Sequence, residues 1–441
     1  MAETLQRNNT DQLTRFSTLF AQTEQSLNGH STDATRSIRS RSMEVLEKTD
    51  FPNRRSEDWK YTSVAPLLAP EWVLPSGSQT APRAQAPGTG ITIHFQNGIL
   101  DRANSDLDTL PEGLLICSIE EALEMETERD RVIKFLEQEI VTPENAFIPL
   151  NGAFARQGIY LRLKKGVRLS SDIHFVHSNE STGAPLLISP QLVGIIESNA
   201  EMRITETFQG FGGTYLTNIL NRFEVGANSH FEHYKFQLES PAAFQVNNTK
   251  AYIHRDSTFS NYNLELGGAL VRNNVVTIML DSGITSNLYG AFLGIDRQHL
   301  DTQTFIDHAF PHCQSNELYK GILTDRAHGV FNGKVIVRQD AQKTNAYQQN
   351  SNLVLSPTAV MDTKPQLEIF ADDVRCSHGA TIGQLDENSV FYLKSRGIPD
   401  AEARRLLQLA FLQEVLDNIE VEYLHEYASD LLIAKFEKAS A

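Results

Sequence analysis

The sequence predicts a mainly β protein: a parallel β-helix core flanked by N-terminal and C-terminal helical domains. Three observations carry that expectation. Between about residues 155 and 383, short runs such as GIYLRLKKG, MRITETF, NNVVTIML, KVIVRQD and QLEIF alternate apolar and polar residues, and no helix-period segment of useful length interrupts them. The polar corners that end these runs recur. Asp325, Asp340, Ser356 and Asp372 stand 15, 16 and 16 positions apart, and the earlier corners at Asn228, Asp256 and Asp281 stand 28 and 25 apart. Such loose regularity fits stacked coils, each strand pairing with its counterpart one coil away, rather than a sandwich or a meander of tight hairpins. After Gly397 the apolar period switches to that of a helix.

Taken in order, residues 1–150 are expected to form an N-terminal helical region that contains a linker. Helix is expected to about residue 65. Gln12 to Leu27 combines good helix formers with an apolar stripe of Leu13, Phe16, Leu19 and Phe20. The stretch APEWVLPSGSQTAPRAQAPGTG (69–90) breaks helix and strand alike and reads as the linker. Residues 119–138 return to helix with an acidic start. The β-helix is assigned to 151–383 and the C-terminal helical domain to 384–441. There Asp400 is the expected N-cap. Leu409, Leu412, Leu416 and Ile419 form one apolar stripe, and Leu407, Phe411 and Val415 a second beside it. That face is wider than one neighbour needs. Leu407, Phe411, Leu412, Val415 and Leu416 are therefore candidates for docking a partner protein as well as for packing under their own domain.

Bulk chemistry excludes several function classes. Lys and Arg number 39 and Asp and Glu 55, a net charge of −16 that opposes binding to nucleic acid or to an anionic membrane. The N-terminus has no apolar core of signal-peptide length, and no apolar run approaches the ~20 residues of a membrane span. The three cysteines, Cys117, Cys313 and Cys376, are far apart and form no C-x-x-C pattern, so a reducing cytoplasm is the expected location.

Two groups of soft ligands stand out. In RCSHGATIGQL, Cys376 and His378 are two positions apart, and in an extended strand they project to the same face. Thiolate and imidazole both suit iron and zinc. Two ligands do not close a site, so a second surface must supply the rest. On spacing alone, a buried thiol beside a histidine satisfied by backbone is the stronger reading. In DHAFPHCQSNE, Asp307, His308, His312 and Cys313 surround a turn at Pro311, and here too a structural corner is favoured. The phosphate-binding loop, the dinucleotide fingerprint, the G-x-S-x-G elbow and the H-E-x-x-H helix are all missing, so no nucleotide is expected on this chain. Asp372 and Asp373 are adjacent and would face opposite ways in a strand, a poor pair for glycoside cleavage. A polysaccharide-active β-helix enzyme is the alternative reading.

The string DTKPQLEIFADDVRCSHGATIGQLDENSVFYLKSRGI (362–398) closely resembles the SUF iron–sulfur assembly scaffold family, and within it the SufD branch more than the SufB branch. SNELYKGILTDRAHGVFNGKVIVRQDAQKTNAYQQNSNLVL and FPNRRSEDWKYT (51–62) carry the same likeness, so it touches all three proposed units. SufB-like chains tend to read E-H-E-A-T where this chain reads Ser377-His378-Gly379-Ala380-Thr381, and they supply most of the cluster thiols, for which three cysteines are too few. The resemblance implies a right-handed parallel β-helix and a non-catalytic scaffold role. It implies a heterodimer with a SufB-like paralogue and a SufC-like ABC ATPase attached at the C-terminal helical domain, with ATP hydrolysed by that ATPase. It allows a homodimer of the isolated chain. A transient iron–sulfur cluster shared with SufB would form near the interface, with His378 and Cys376 at the matching positions; Cys376 is left open as ligand, sulfur relay or interface thiol. A terminal coil with an open edge suits such pairing.

Overall fold

The structure, a computed structural model, describes residues 2–26, 33–76, 81–141 and 143–439. Its centre is a parallel β-solenoid of two ten-strand-scale sheets facing each other across a lumen. The front sheet runs from Ile91–Gln96 to Arg375–Gly383, and the back sheet from Leu114–Ser118 to Val360–Ile369. Successive strands of one sheet are parallel and in register, as in His230↔Thr258 and Gln314↔Asn345. The two corner spacings now have a geometric meaning. Equivalent corners such as Asn199 and Asn228, or Asp296 and Asp325, are one whole coil of 29 residues apart and bond to each other. Spacings near 15 are half coils, one corner per sheet. Asn199, Asn228, Asp256, Asp296 and Asp325 all take φ between 54° and 59°. Asn and Asp tolerate this left-handed conformation, which explains the polar corners.

The sheets begin upstream of residue 151. Ile91–Gln96 pairs with Ile173–Glu180, and Leu114–Ser118 pairs antiparallel with Gly158–Leu163. Asn97 and Gly98, both at positive φ, turn a hairpin from Ile91–Gln96 into Ile99–Leu100. Residues 77–80 of the Pro/Gly-rich stretch lie outside the described residues.

The N-terminal helices also differ from expectation. Ala2–Ser26 and Asp33–Leu46 are helical, but between Leu46 and Ala65 only the short turn Glu57–Trp59 is. This segment is held by aromatic burial instead: Phe51 and Trp59 pack on Phe147, Trp59 stacking at 5.4 Å. The helix expected over 119–138 is two, Ile119–Glu124 and Arg129–Val141. A capping box of Ser118 and Glu121 starts the first. The break turns Glu128 inward, where it accepts from the Tyr160 hydroxyl at 2.6 Å and pairs with Arg162 at 3.1 Å.

Alternate residues of each strand face the lumen, and their position along the strand divides it into two parts. One side is apolar and continuous along the solenoid, with Phe175, Ile204, Phe231, Phe259, Leu288 and Phe331. The other is polar: Glu206 accepts from His233 at 2.7 Å, Lys235 donates to Asn273 at 3.2 Å, and Glu265 and Glu317 are buried beside them. Burial pushes the Glu239, Glu265 and Glu317 carboxyls up to about 7. The C-terminal helices Glu387–Ser395, Asp400–Leu416 and Glu422–Ala439 follow the terminal strand. Asp400 lies inside the first turn rather than at its cap, where its carboxylate is drawn to Lys394 at 2.6 Å and Arg404 at 2.9 Å.

Candidate functional site

Among the described residues, the last coil ends in two strands with no further strand paired to them. Arg375–Gly383 pairs only with Asn345–Val354 in the front sheet, and Val360–Ile369 only with His328–Val337 in the back sheet. The Arg375 N–H donates to Thr344 O at 2.9 Å, toward the preceding strand. Backbone groups alternate sides along a strand, so the N–H groups of Cys376, His378, Ala380 and Ile382 face the open edge. The same four side chains share the lumen face: by register Cys376 stands over Ala346, His378 over Gln348, Ala380 over Asn350 and Ile382 over Asn352. The edge strand is exposed along nearly its whole length, and apolar side chains at this end lie open to solvent, Ile382 at 52 % and Phe370 at 63 %.

The structure thus brings Cys376 and His378 to one face, with Cα atoms ~7 Å apart as strand geometry requires. Their surroundings differ. Cys376 is half-buried against the apolar side of the lumen, and burial raises its thiol pKa. His378 is exposed and continues the polar column. Among the described residues no three His, Cys, Asp or Glu side chains come together as a metal-binding group. The pair is a half-site, open on the side where further ligands would have to enter.

The second candidate group does not converge. Asp307 forms a two-point ion pair with Arg338 at 2.8 and 2.7 Å, the His308 Nε2 meets Ser315 Oγ at 2.9 Å, and the Cys313 thiol reaches Asp281 O at 3.3 Å. His312 is the corner residue itself, at φ 60°. Each group serves a different neighbour, the structural reading favoured from the sequence.

The helix Asp400–Leu416 lies on the outer face of the front sheet. Leu412, Val415 and Leu416 are buried there against Tyr234, Phe236, Tyr262 and Leu264 of their own chain. Phe411 is half-buried with the Lys320 ammonium 4.4 Å from its ring centre, and Leu407 is half-buried. The exposed apolar groups of this region are Phe391 (73 %), Tyr392 and Leu406. Sequence reasoning missed Phe391 and Tyr392 because Glu387–Ser395 has no apolar stripe long enough to mark it.

Two family models account for nearly the whole chain. The SufBD core domain of the SUF system for iron–sulfur cluster assembly matches residues 177–411, and the SufBD N-terminal region matches 10–175. The chain belongs to the SufBD family. Its Cys376, His378 and the open coil all fall within the SufBD core match. A SufBD-family iron–sulfur cluster assembly protein of Synechocystis is 31% identical over 391 residues, 85% of each chain. The iron–sulfur cluster assembly protein SufD of Escherichia coli is 28% identical over 390 residues, 87% of this chain and 89% of that one. A chloroplastic protein of Arabidopsis thaliana is 29% identical over 393 residues, 86% of this chain and 82% of that one. No helix among the described residues is long and apolar enough to cross a membrane.

Proposed function

We propose that this SufBD-family chain is a SufD-type, non-catalytic scaffold subunit whose open coil pairs with a SufB-like paralogue. A nascent iron–sulfur cluster is its cargo, built at the seam between the two chains. The observation that supports this most directly is the uncapped last coil, which places a thiol, an imidazole and four free backbone N–H groups along one edge. Docking a second β-solenoid would satisfy those groups, cover Ile382 and Phe370, and exclude water from the half-site. His378 is the first ligand proposed, and Cys376 a second ligand or sulfur carrier. Iron at the seam would draw the proton from the Cys376 thiol, whose pKa burial now holds up. A SufC-like ATPase would attach at the C-terminal helices, through the exposed Phe391, Tyr392 and Leu406 and the flanking Leu407 and Phe411. Leu412, Val415 and Leu416 would carry that contact through their seat on the front sheet. A cytoplasmic location is part of the same reading. The SufBD relationship favours it over a polysaccharide-active β-helix.

Co-expression with SufB-like and SufC-like chains, followed by anaerobic iron and sulfide analysis, tests it. The His378→Ala complex should assemble intact but accumulate less iron and sulfide than wild type, with a smaller loss for Cys376→Ala. Wild-type iron and sulfide in both variants would refute the site.

A further inference from the structure

We propose that Gln348 and Glu317 are positioning residues for His378, an amide backed by a carboxylate that holds the imidazole with one ring nitrogen turned outward. The inference rests on the reading of His378 as a ligand at the seam. The register places Glu317, Gln348 and His378 in one lumen-facing column on three successive coils, about 4.8 Å from one strand to the next. The Gln348 side chain is 3 % exposed, and its Nε2 donates to Glu317 Oε2 at 2.6 Å. An amide is planar, so committing Nε2 to the coil below leaves Oε1 as the remaining acceptor. That oxygen is buried and has no hydrogen-bond partner. The next residue in the column is His378.

An imidazole N–H donated to Gln348 Oε1 satisfies the orphaned acceptor and fixes which nitrogen keeps its lone pair. The other nitrogen then points out of the lumen, toward the open side. Ligating histidines commonly donate their second N–H to a carbonyl or carboxylate, which sets the tautomer and the ring orientation. Here the carbonyl is the amide of Gln348, and Glu317 fixes that amide from behind.

The opposite wall is shaped for this arrangement. Gly333 faces the lumen on His328–Val337, and a Cβ there would overlap the Gln348 amide nitrogen and stand 2.9 Å from the Phe331 ring and from Thr304 Oγ1. The absent side chain is the space the amide occupies. Gly333→Ala therefore displaces the amide while leaving every polar group in the column present.

The test uses the full chain, labelled with ¹⁵N-histidine and assembled with an unlabelled SufB-like partner. The His378 tautomer is read by NMR, and ferrous iron alone is titrated anaerobically. Wild type should show a single neutral tautomer. Gln348→Leu should populate both tautomers and weaken ferrous binding about 10- to 100-fold. Gly333→Ala should shift both readouts in the same direction, and Glu317→Leu, which removes the acceptor that holds Nε2, should shift them the same way. An unchanged tautomer in both Gln348→Leu and Gly333→Ala overturns the inference; if Gln348→Leu does not fold, Gly333→Ala alone decides. His378→Ala separates the two levels. Undiminished iron affinity in that variant refutes the ligand reading itself. Loss there with no change in Gln348→Leu and Gly333→Ala refutes only the positioning role.

Discussion

The two ends of the solenoid are built on opposite plans. At the N-terminal end each sheet is closed by a change of direction. Leu114–Ser118 runs antiparallel to its neighbour, and the hairpin into Ile99–Leu100 ends the front sheet. The helices Ile119–Glu124 and Arg129–Val141 bury Leu123, Val132, Phe135 and Tyr160 beside them. At the C-terminal end both sheets stop on a parallel strand with an exposed edge. A parallel coil is a template for the next coil, so it ends cleanly only where a reversed strand or a helix covers it. One end is finished within the chain; the other is left in the form that a second chain can continue.

The largest effect is expected away from both ends, in the N-terminal helical cluster that packs on Leu216, Val246 and Leu270 of the back sheet. Phe147 is fully buried between Phe51 and Trp59, and Phe147→Ala should cost about 3–5 kcal/mol in urea denaturation of the isolated chain. Next comes the lumen between the ends. Burial lifts the Glu317 carboxyl from near 4.5 to about 7, so the folded state holds its proton more tightly than the unfolded chain does. Its stabilising contribution, roughly 3 kcal/mol, is complete below about pH 4.5 and lost as pH rises through about 7. Denaturation of Glu317→Gln across that window should show a shallower fall than wild type. At the open end the isolated chain should barely respond. Ala380→Pro removes an N–H that faces the free edge, so stability should shift little while the complex with a SufB-like chain is lost by size-exclusion chromatography. Ile382→Ala should change stability by no more than about 0.5 kcal/mol, and a larger loss would mean that the edge is covered within the chain itself.

The solenoid was legible because its signal is local. Alternation shows within each strand, and Asn and Asp mark the corners. The half-coil and whole-coil spacings were both visible, although their relation became clear only once Asn199 and Asn228 were seen to bond across one turn. The strand Ile91–Gln96 was hidden because it follows a Pro/Gly-rich stretch and finds its partner 82 positions on, Ile91 beside Ile173. The segment around Trp59 read as helix because its anchors, the Phe147 ring and the Arg272 guanidinium, are far off in sequence. Cys376 and His378 could be paired from spacing alone, since a strand puts alternate residues on one face. Gln348 and Glu317 could not: column neighbours are about 30 positions apart, and nothing in a one-dimensional string marks them as adjacent. The sequence left the apolar face of Asp400–Leu416 open between packing on its own domain and docking a partner, and three of its residues, Leu412, Val415 and Leu416, meet the chain's own sheet.

The C-terminal helices lie across five neighbouring front-sheet strands, from Tyr234 and Phe236 to Leu353. They act as a splint along one wall, tying together from outside rungs already joined by their ladder bonds and the packed lumen. Among the described residues, the cluster that seats these helices includes none from Val360–Ile369 of the back sheet. Amide protons of the splinted strands should therefore exchange with solvent as one slow block, while those nearest Val360–Ile369 fray independently. A pull on the final helices would reach the open end as movement of a stiff panel.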